Sequence, residues 1–157
     1  FSQTMTSVVA QNMGAGKPDR AKKALLYGIG SSFAVGAVMS YFSFFHGDIM
    51  AAIFSNDLAV IEAGAQYLKA YAIDTLLVSV MFCMVGYFNG CGKTTFAMLQ
   101  GIIGAFCVRI PVSFFMSRMV PVNLFHIGLA TPASSLVQTI MCVVYYYQMN
   151  QKKTSLE

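Results

Sequence analysis

The chain has 157 residues, 57% of them hydrophobic and only 10% charged; ten Lys or Arg against six Asp or Glu give a net charge of +4, and the mean hydropathy is +0.63. A soluble globular domain carries about 25% charged residues, so the surface here is too poor in charge to be wetted and most of it must face lipid. These proportions exclude a disordered chain, a nucleic-acid binder built on basic patches and an ordinary water-soluble enzyme.

In chain order, residues 1–13 (FSQTMTSVVAQNM) suffice for about 20 Å of helix, too short to cross a bilayer, and read as the end of a truncated transmembrane helix. The chain opens on Phe1 rather than Met, without a signal peptide, and reads as a piece of something longer. Residues 14–23 (GAGKPDRAKK) form a basic loop. Residues 24–45 contain no charge and make roughly 33 Å of helix, enough for the ~30 Å hydrocarbon core. Residues 46–69 form an outer connection in which Ile49, Met50, Ile53, Phe54, Leu58 and Ile61 recur at helical spacing, predicting a short interfacial helix.

The second full span covers 70–90, with Asp74 its only charge, and a turn at 91–93 leads into the third at 94–117, whose only charge is Arg109. Pro111 falls in the middle of that third span and predicts a kink, because it removes a backbone donor. An outer loop at 118–126, a fourth span at 127–149 with Pro132 in its first turn, and a tail at 150–157 complete the chain. The expected architecture is all-α: a polytopic membrane helix bundle of four full transmembrane helices plus the end of a fifth.

Charge orients the bundle. Lys17, Arg20, Lys22, Lys23, Lys93, Lys152 and Lys153 fall on one side if the spans alternate, while Asp48, Asp57, Glu62, Lys69 and Arg118 fall on the other. Basic residues mark the cytoplasm, so the C-terminus and the GAGKPDRAKK loop are expected inside a plasma (inner) membrane.

Cys83, Cys91, Cys107 and Cys142 are scattered through apolar stretches without a CxxC pair or a Cys/His cluster, so neither a zinc site nor a disulfide framework is readable. Gly28, Ser32, Gly36 and Ser40 form a small-residue stripe, echoed by Gly86 with Gly90 and by Gly101 with Ala105; such stripes let helices approach closely. GYFNGCGKTT falls short of a phosphate loop, since the required first glycine is displaced by Tyr87, and it reads as a cytoplasmic turn. Tyr145, Tyr146 and Tyr147 read as an interfacial aromatic belt. His46 and His126 fall at the outer ends of different spans, and no arrangement of nucleophile, base or metal ligands points to an enzyme.

An ionisable residue inside a span is expensive and therefore a functional candidate. Counted from the shared turn, Asp74 and Arg109 lie roughly 24 and 22 Å along their helices, at nearly the same depth. Asp74 is a candidate site for H+ or Na+; alternatively the two residues neutralise one another as a structural ion pair, or either snorkels to the interface. Tyr71, Gln100 and Gln138 are candidate cavity-lining groups.

The order of these features resembles multidrug and toxic compound extrusion (MATE) transporters. VVAQNMGAGKPDRAKKA is similar to the junction between the second and third helices of each lobe, and GYFNGCGKTTFAMLQGIIGAFCVRIPVSFFMSR to the region of helices ten and eleven. The resemblance covers essentially the whole chain and places it at the end of helix eight through helix twelve, the C-lobe of a two-lobe, twelve-helix antiporter. It implies export of cationic amphipathic drugs in exchange for H+ or Na+, with no other cofactor, and with the bilayer, the missing N-terminal lobe and small organic cations as partners. One branch of the family uses an acidic residue of the tenth helix for coupling; Asp74 lies in the corresponding helix, about one turn earlier. A fragment alone is expected not to transport. Two rival expectations are a lipid-linked saccharide flippase of related architecture and a non-transporting packing subunit.

Overall fold

The computed structural model describes residues 1–54, 56–118 and 128–154, and every described element is helical. Helix α1 spans Ser2–Gly14, α2 Pro18–Phe45, α3 Gly47–Ala52 and α4 Leu58–Gly90. The next span is composite: α5 at Thr94–Ile102, a π-helical segment at Ile103–Arg109 and α6 at Ile110–Arg118. Helix α7 covers Ala130–Thr154.

Two turns at one end of the bundle close in the same way. Gly16 and Gly92 have φ of 67° and 74°, the left-handed region that glycine enters without steric cost. In each, the glycine N–H reaches back to the carbonyl three residues earlier and the following lysine N–H to the one five earlier: Lys17 to Asn12 at 2.9 Å, Lys93 to Phe88 at 2.8 Å. These are Schellman closures, which satisfy the last carbonyls of a helix. The GCGK sequence is thus a helix stop, and Pro18 at the start of α2 supplies the matching helix start.

The central helix is α4, which touches α1, α2, α3, α5 and α7. Against α2 it runs antiparallel along the small-residue stripe. Ser32 Oγ donates to the Ser79 carbonyl at 3.2 Å and Ser40 Oγ to the Ala72 carbonyl at 2.7 Å, while a Cβ on Gly36 would lie 3.4 Å from Ser79 Cβ. Against α1 it runs parallel, with Gly86 beneath Ser2 and Met5 and Gly90 beneath Thr6 and Val9. Gly101 of the third small-residue pair faces no neighbour; the close approach on that span is made by Gly104, against the Gln138 side chain.

The core lies toward the lysine-bearing end, where Met5, Val9, Leu25, Cys83, Met84, Phe88 and Cys142 are buried together. Phe96 stacks on Tyr145 with centroids 3.8 Å apart, and Phe88 meets both rings edge-on. Tyr145 and Tyr146 are therefore part of the core packing rather than an interfacial belt; of the three tyrosines only Tyr147, 65% exposed, faces outward. They turn inward because α7 runs parallel to α4 and brings them against Phe88 and Tyr87.

Three features differ from the sequence expectation. The outer connection is mostly helix: after α3, Asp57 caps α4 by accepting from Ala59 N–H at 3.0 Å, so α4 starts at Leu58 rather than at residue 70. At about 50 Å it exceeds the hydrocarbon core, and α3 packs against its projecting first turns. Second, Pro111 is preceded by a π-helical segment. The proline ring crowds the carbonyl four residues back, that of Cys107, and widening the helix relieves that contact.

Third, the described helices long and apolar enough to cross a membrane are three: Pro18–Phe45, Leu58–Gly90 and Thr94–Arg118. The expected fourth span is present as the 25-residue α7, but Thr131, Ser134, Ser135 and Gln138 lower its hydropathy. The outer loop expected at 118–126, apart from Arg118, and His126 lie outside the described residues, as do residues 155–157 of the tail.

Candidate functional site

Helices α4 and α5 leave their shared turn and diverge: among the described residues the backbone of α4 does not come close to that of the π-helical segment or of α6. Helix α7 bridges the opening, parallel to α4 and antiparallel to the composite span. The space left between them is a cavity of about 280 Å³. Its α4 wall consists of Tyr71, Asp74, Thr75, Val78, Met81 and Phe82, residues at the i, i+3, i+4, i+7 spacing of one helix face. Its α7 wall is Thr131, Ser134, Ser135 and Gln138, which repeats the spacing with polar groups. Arg109 enters from the end of the π-helical segment.

Asp74 is 3% exposed, and its Oδ1 is buried without a hydrogen-bond partner. The Ser135 hydroxyl and the Arg109 guanidinium both act electrostatically on the carboxyl group. A buried carboxylate oxygen with nothing to accept from is costly; here it belongs to a residue that lines the cavity. No group of three or more His, Cys, Asp or Glu side chains that could hold a metal ion occurs among the described residues.

The structure brings Asp74, Arg109, Tyr71 and Gln138 around one cavity and leaves Gln100 out of it. Gln100 is buried on α5, donating to the Ala97 carbonyl at 3.2 Å, with its own Oε1 unpartnered. His46 stands elsewhere, in an open apolar groove with Met39, Phe42, Ile49 and Met50 at the end of α2. Sequence reasoning missed Thr131, Ser134 and Ser135. Their signal was present: with Gln138 they form a polar stripe at helical spacing in an otherwise apolar span.

The family model described as MatE matches residues 1–115. Over its full length the chain is 20% identical to multidrug and toxin extrusion protein 1 of Danio rerio, covering 27% of that protein. It is 23% identical to protein DETOXIFICATION 4 of Arabidopsis thaliana, over 92% of this chain and 30% of the relative. To multidrug and toxin extrusion protein 2 of Oryctolagus cuniculus it is 24% identical, over 95% of this chain and 25% of the relative. The chain therefore spans between a quarter and a third of the length of these relatives. No solved structure matches. On the span of the family match, which takes in the α1–α2 junction, the Asp74-bearing α4 and the composite span as far as Phe115, this chain belongs to the MatE family.

Proposed function

We propose that the full-length protein is a secondary active antiporter that expels cationic, amphipathic compounds in exchange for H+ or Na+. In this reading the 157 residues supply most of the C-terminal lobe, in a plasma (inner) membrane with the lysine-rich turns and C-terminus in the cytoplasm. The observation that carries it is Asp74, a buried carboxylate with one unpartnered oxygen, in the lining of the α4–α7 cavity. The extrusion function in the relatives' names supports transport rather than catalysis.

The chemistry suits exchange. A carboxylate in a site of low polarity holds one cation well and two poorly, so H+, Na+ and an organic cation compete for it. Arg109 supplies an internal positive charge near Asp74 when no other cation is present. The rings of Tyr71 and Phe82 and the thioether of Met81 offer apolar, polarisable surface to the body of such a substrate. Thr131, Ser134 and Ser135 supply neutral oxygens that follow either cation without adding charge.

The test is efflux of ethidium from efflux-deficient cells expressing the full-length protein. Efflux that collapses when both the H+ and Na+ gradients are dissipated is expected; efflux indifferent to both gradients, or no efflux from correctly inserted protein, would overturn the reading.

A further inference from the structure

Arg109 stands at the C-terminal end of a π-helical segment, and among the described residues the structure ties that segment to a single element outside its own span, helix α7. We propose that Ser134 and Gln138 are positioning residues: they hold residues 103–109 in the π register and so keep Arg109 turned into the Asp74 cavity. The inference rests on the reading of that cavity as a cation site.

The contacts that do this are explicit. Ser134 Oγ donates to the Gly104 carbonyl at 2.8 Å, a buried hydrogen bond made to the first turn of the π segment. Gln138 Nε2 donates in turn to Ser134 Oγ at 3.0 Å. The Gln138 side chain fills the space above Gly104, where the Cβ of any other residue would collide with it. A π-helical turn bonds residue i to i+5 and is rare because the α-helix is more stable. It takes up one residue more than an α-helix of equal rise. Relaxation to α geometry would therefore rotate everything beyond it, Arg109 and α6 included, by about 100° relative to α5. Pro111 adds to the bias at the C-terminal side, since its ring opposes α geometry at the Cys107 carbonyl. On the N-terminal side the Gln138–Ser134–Gly104 chain performs that task. Arg109 then faces Asp74 only while α7 stays seated on the segment, so movement of α7 would withdraw the positive charge from the carboxylate.

The experiment uses the full-length protein with its native cysteines replaced, in membrane vesicles. Arg109→Cys serves as reporter for a cationic, membrane-impermeant thiosulfonate, and Thr75→Cys on the opposite wall as control. Labelling of Arg109→Cys is expected to slow roughly tenfold when Ser134→Ala or Gln138→Leu is added, because a rotation of about 100° turns the side chain out of the cavity. Ser134→Thr, which keeps the hydroxyl, retains the parent rate. Deleting Phe106 removes the extra residue and restores labelling in the Ser134→Ala background. Unchanged labelling in both Ser134→Ala and Gln138→Leu overturns the inference, and so does equal loss at Thr75→Cys, which signals collapse of the whole cavity. Labelling needs no turnover, so missing ion-driven efflux alongside the expected pattern contradicts the antiport reading alone.

Discussion

Gly86 and Gly90 sit where α1 crosses α4, and neither position has room for a side chain. A Cβ on Gly86 would lie 2.9 Å from Met5 Cβ, and one on Gly90 would lie 2.7 Å from Val9 Cβ and 2.8 Å from the Thr6 carbonyl. Gly101 has nothing within 4 Å. Gly90→Ala is accordingly expected to destabilise the protein by about 1–3 kcal/mol through overpacking, with Gly101→Ala close to neutral; thermal unfolding in detergent separates the two. A half-buried serine at the α2–α4 seam matters less. Ser40→Ala loses its bond to the Ala72 carbonyl and is expected to cost about 0.6 kcal/mol, the mean for an interhelical hydrogen bond in a membrane protein, by the same measurement. At this scale the sequence was informative about residue type and silent about partner. Asp74 and Arg109 stand out as the lone charges of their spans, but only the divergence of α4 from the composite span shows that they meet across a cavity rather than across a tight hairpin.

Among the elements, the boundaries written in local chemistry were legible and those set by tertiary packing were not. The Gly-Lys pairs at 16–17 and 92–93 announce helix stops, and the structure closes both with the same pair of hydrogen bonds. The start of α4 at Asp57 was not legible in the sequence, because Glu62 and Lys69 argue against a membrane helix there; the helix forms with Asp57 as its cap and α3 packed on its first turns. Pro111 marks an irregular span, but its expression as a π-helical segment depends on Gly104, Ser134 and Gln138, residues far apart in sequence. The inward turn of Tyr145 depends in the same way on Phe96 and Phe88. A double-mutant cycle of Phe96→Leu with Tyr145→Leu should return a coupling of about 1 kcal/mol, as for other aromatic pairs beyond their buried area; additive effects would mean that the stack contributes nothing of its own.

For the whole molecule, the fold follows from where charge is absent. The apolar faces left uncovered on α2 and along the composite span carry Phe33, Val35, Val38, Met98, Ile102, Phe106 and Phe115, all exposed in the isolated chain. Such faces are stable only against lipid or further helices. Alternation of the helices then places Lys22 and Lys93 on one side, with Phe54, 90% exposed beyond α3, on the other. Single cysteines at positions 22 and 93 of the full-length protein are expected to react with an impermeant reagent from the cytoplasmic side, and one at position 54 from the outside. Lys22 and Lys93 on opposite faces would contradict the topology.

The central claim is that Asp74 couples cation entry to export, and flux through reconstituted full-length protein tests it most directly. Proteoliposomes given an H+ or Na+ gradient should accumulate ethidium. Asp74→Asn, which keeps the shape of the side chain and removes its charge, should reduce that gradient-driven accumulation by tenfold or more, which needs only about 1.4 kcal/mol of lost cation binding, with Asp74→Glu retaining a measurable fraction. Undiminished, still ion-dependent accumulation in Asp74→Asn would remove Asp74 from the mechanism.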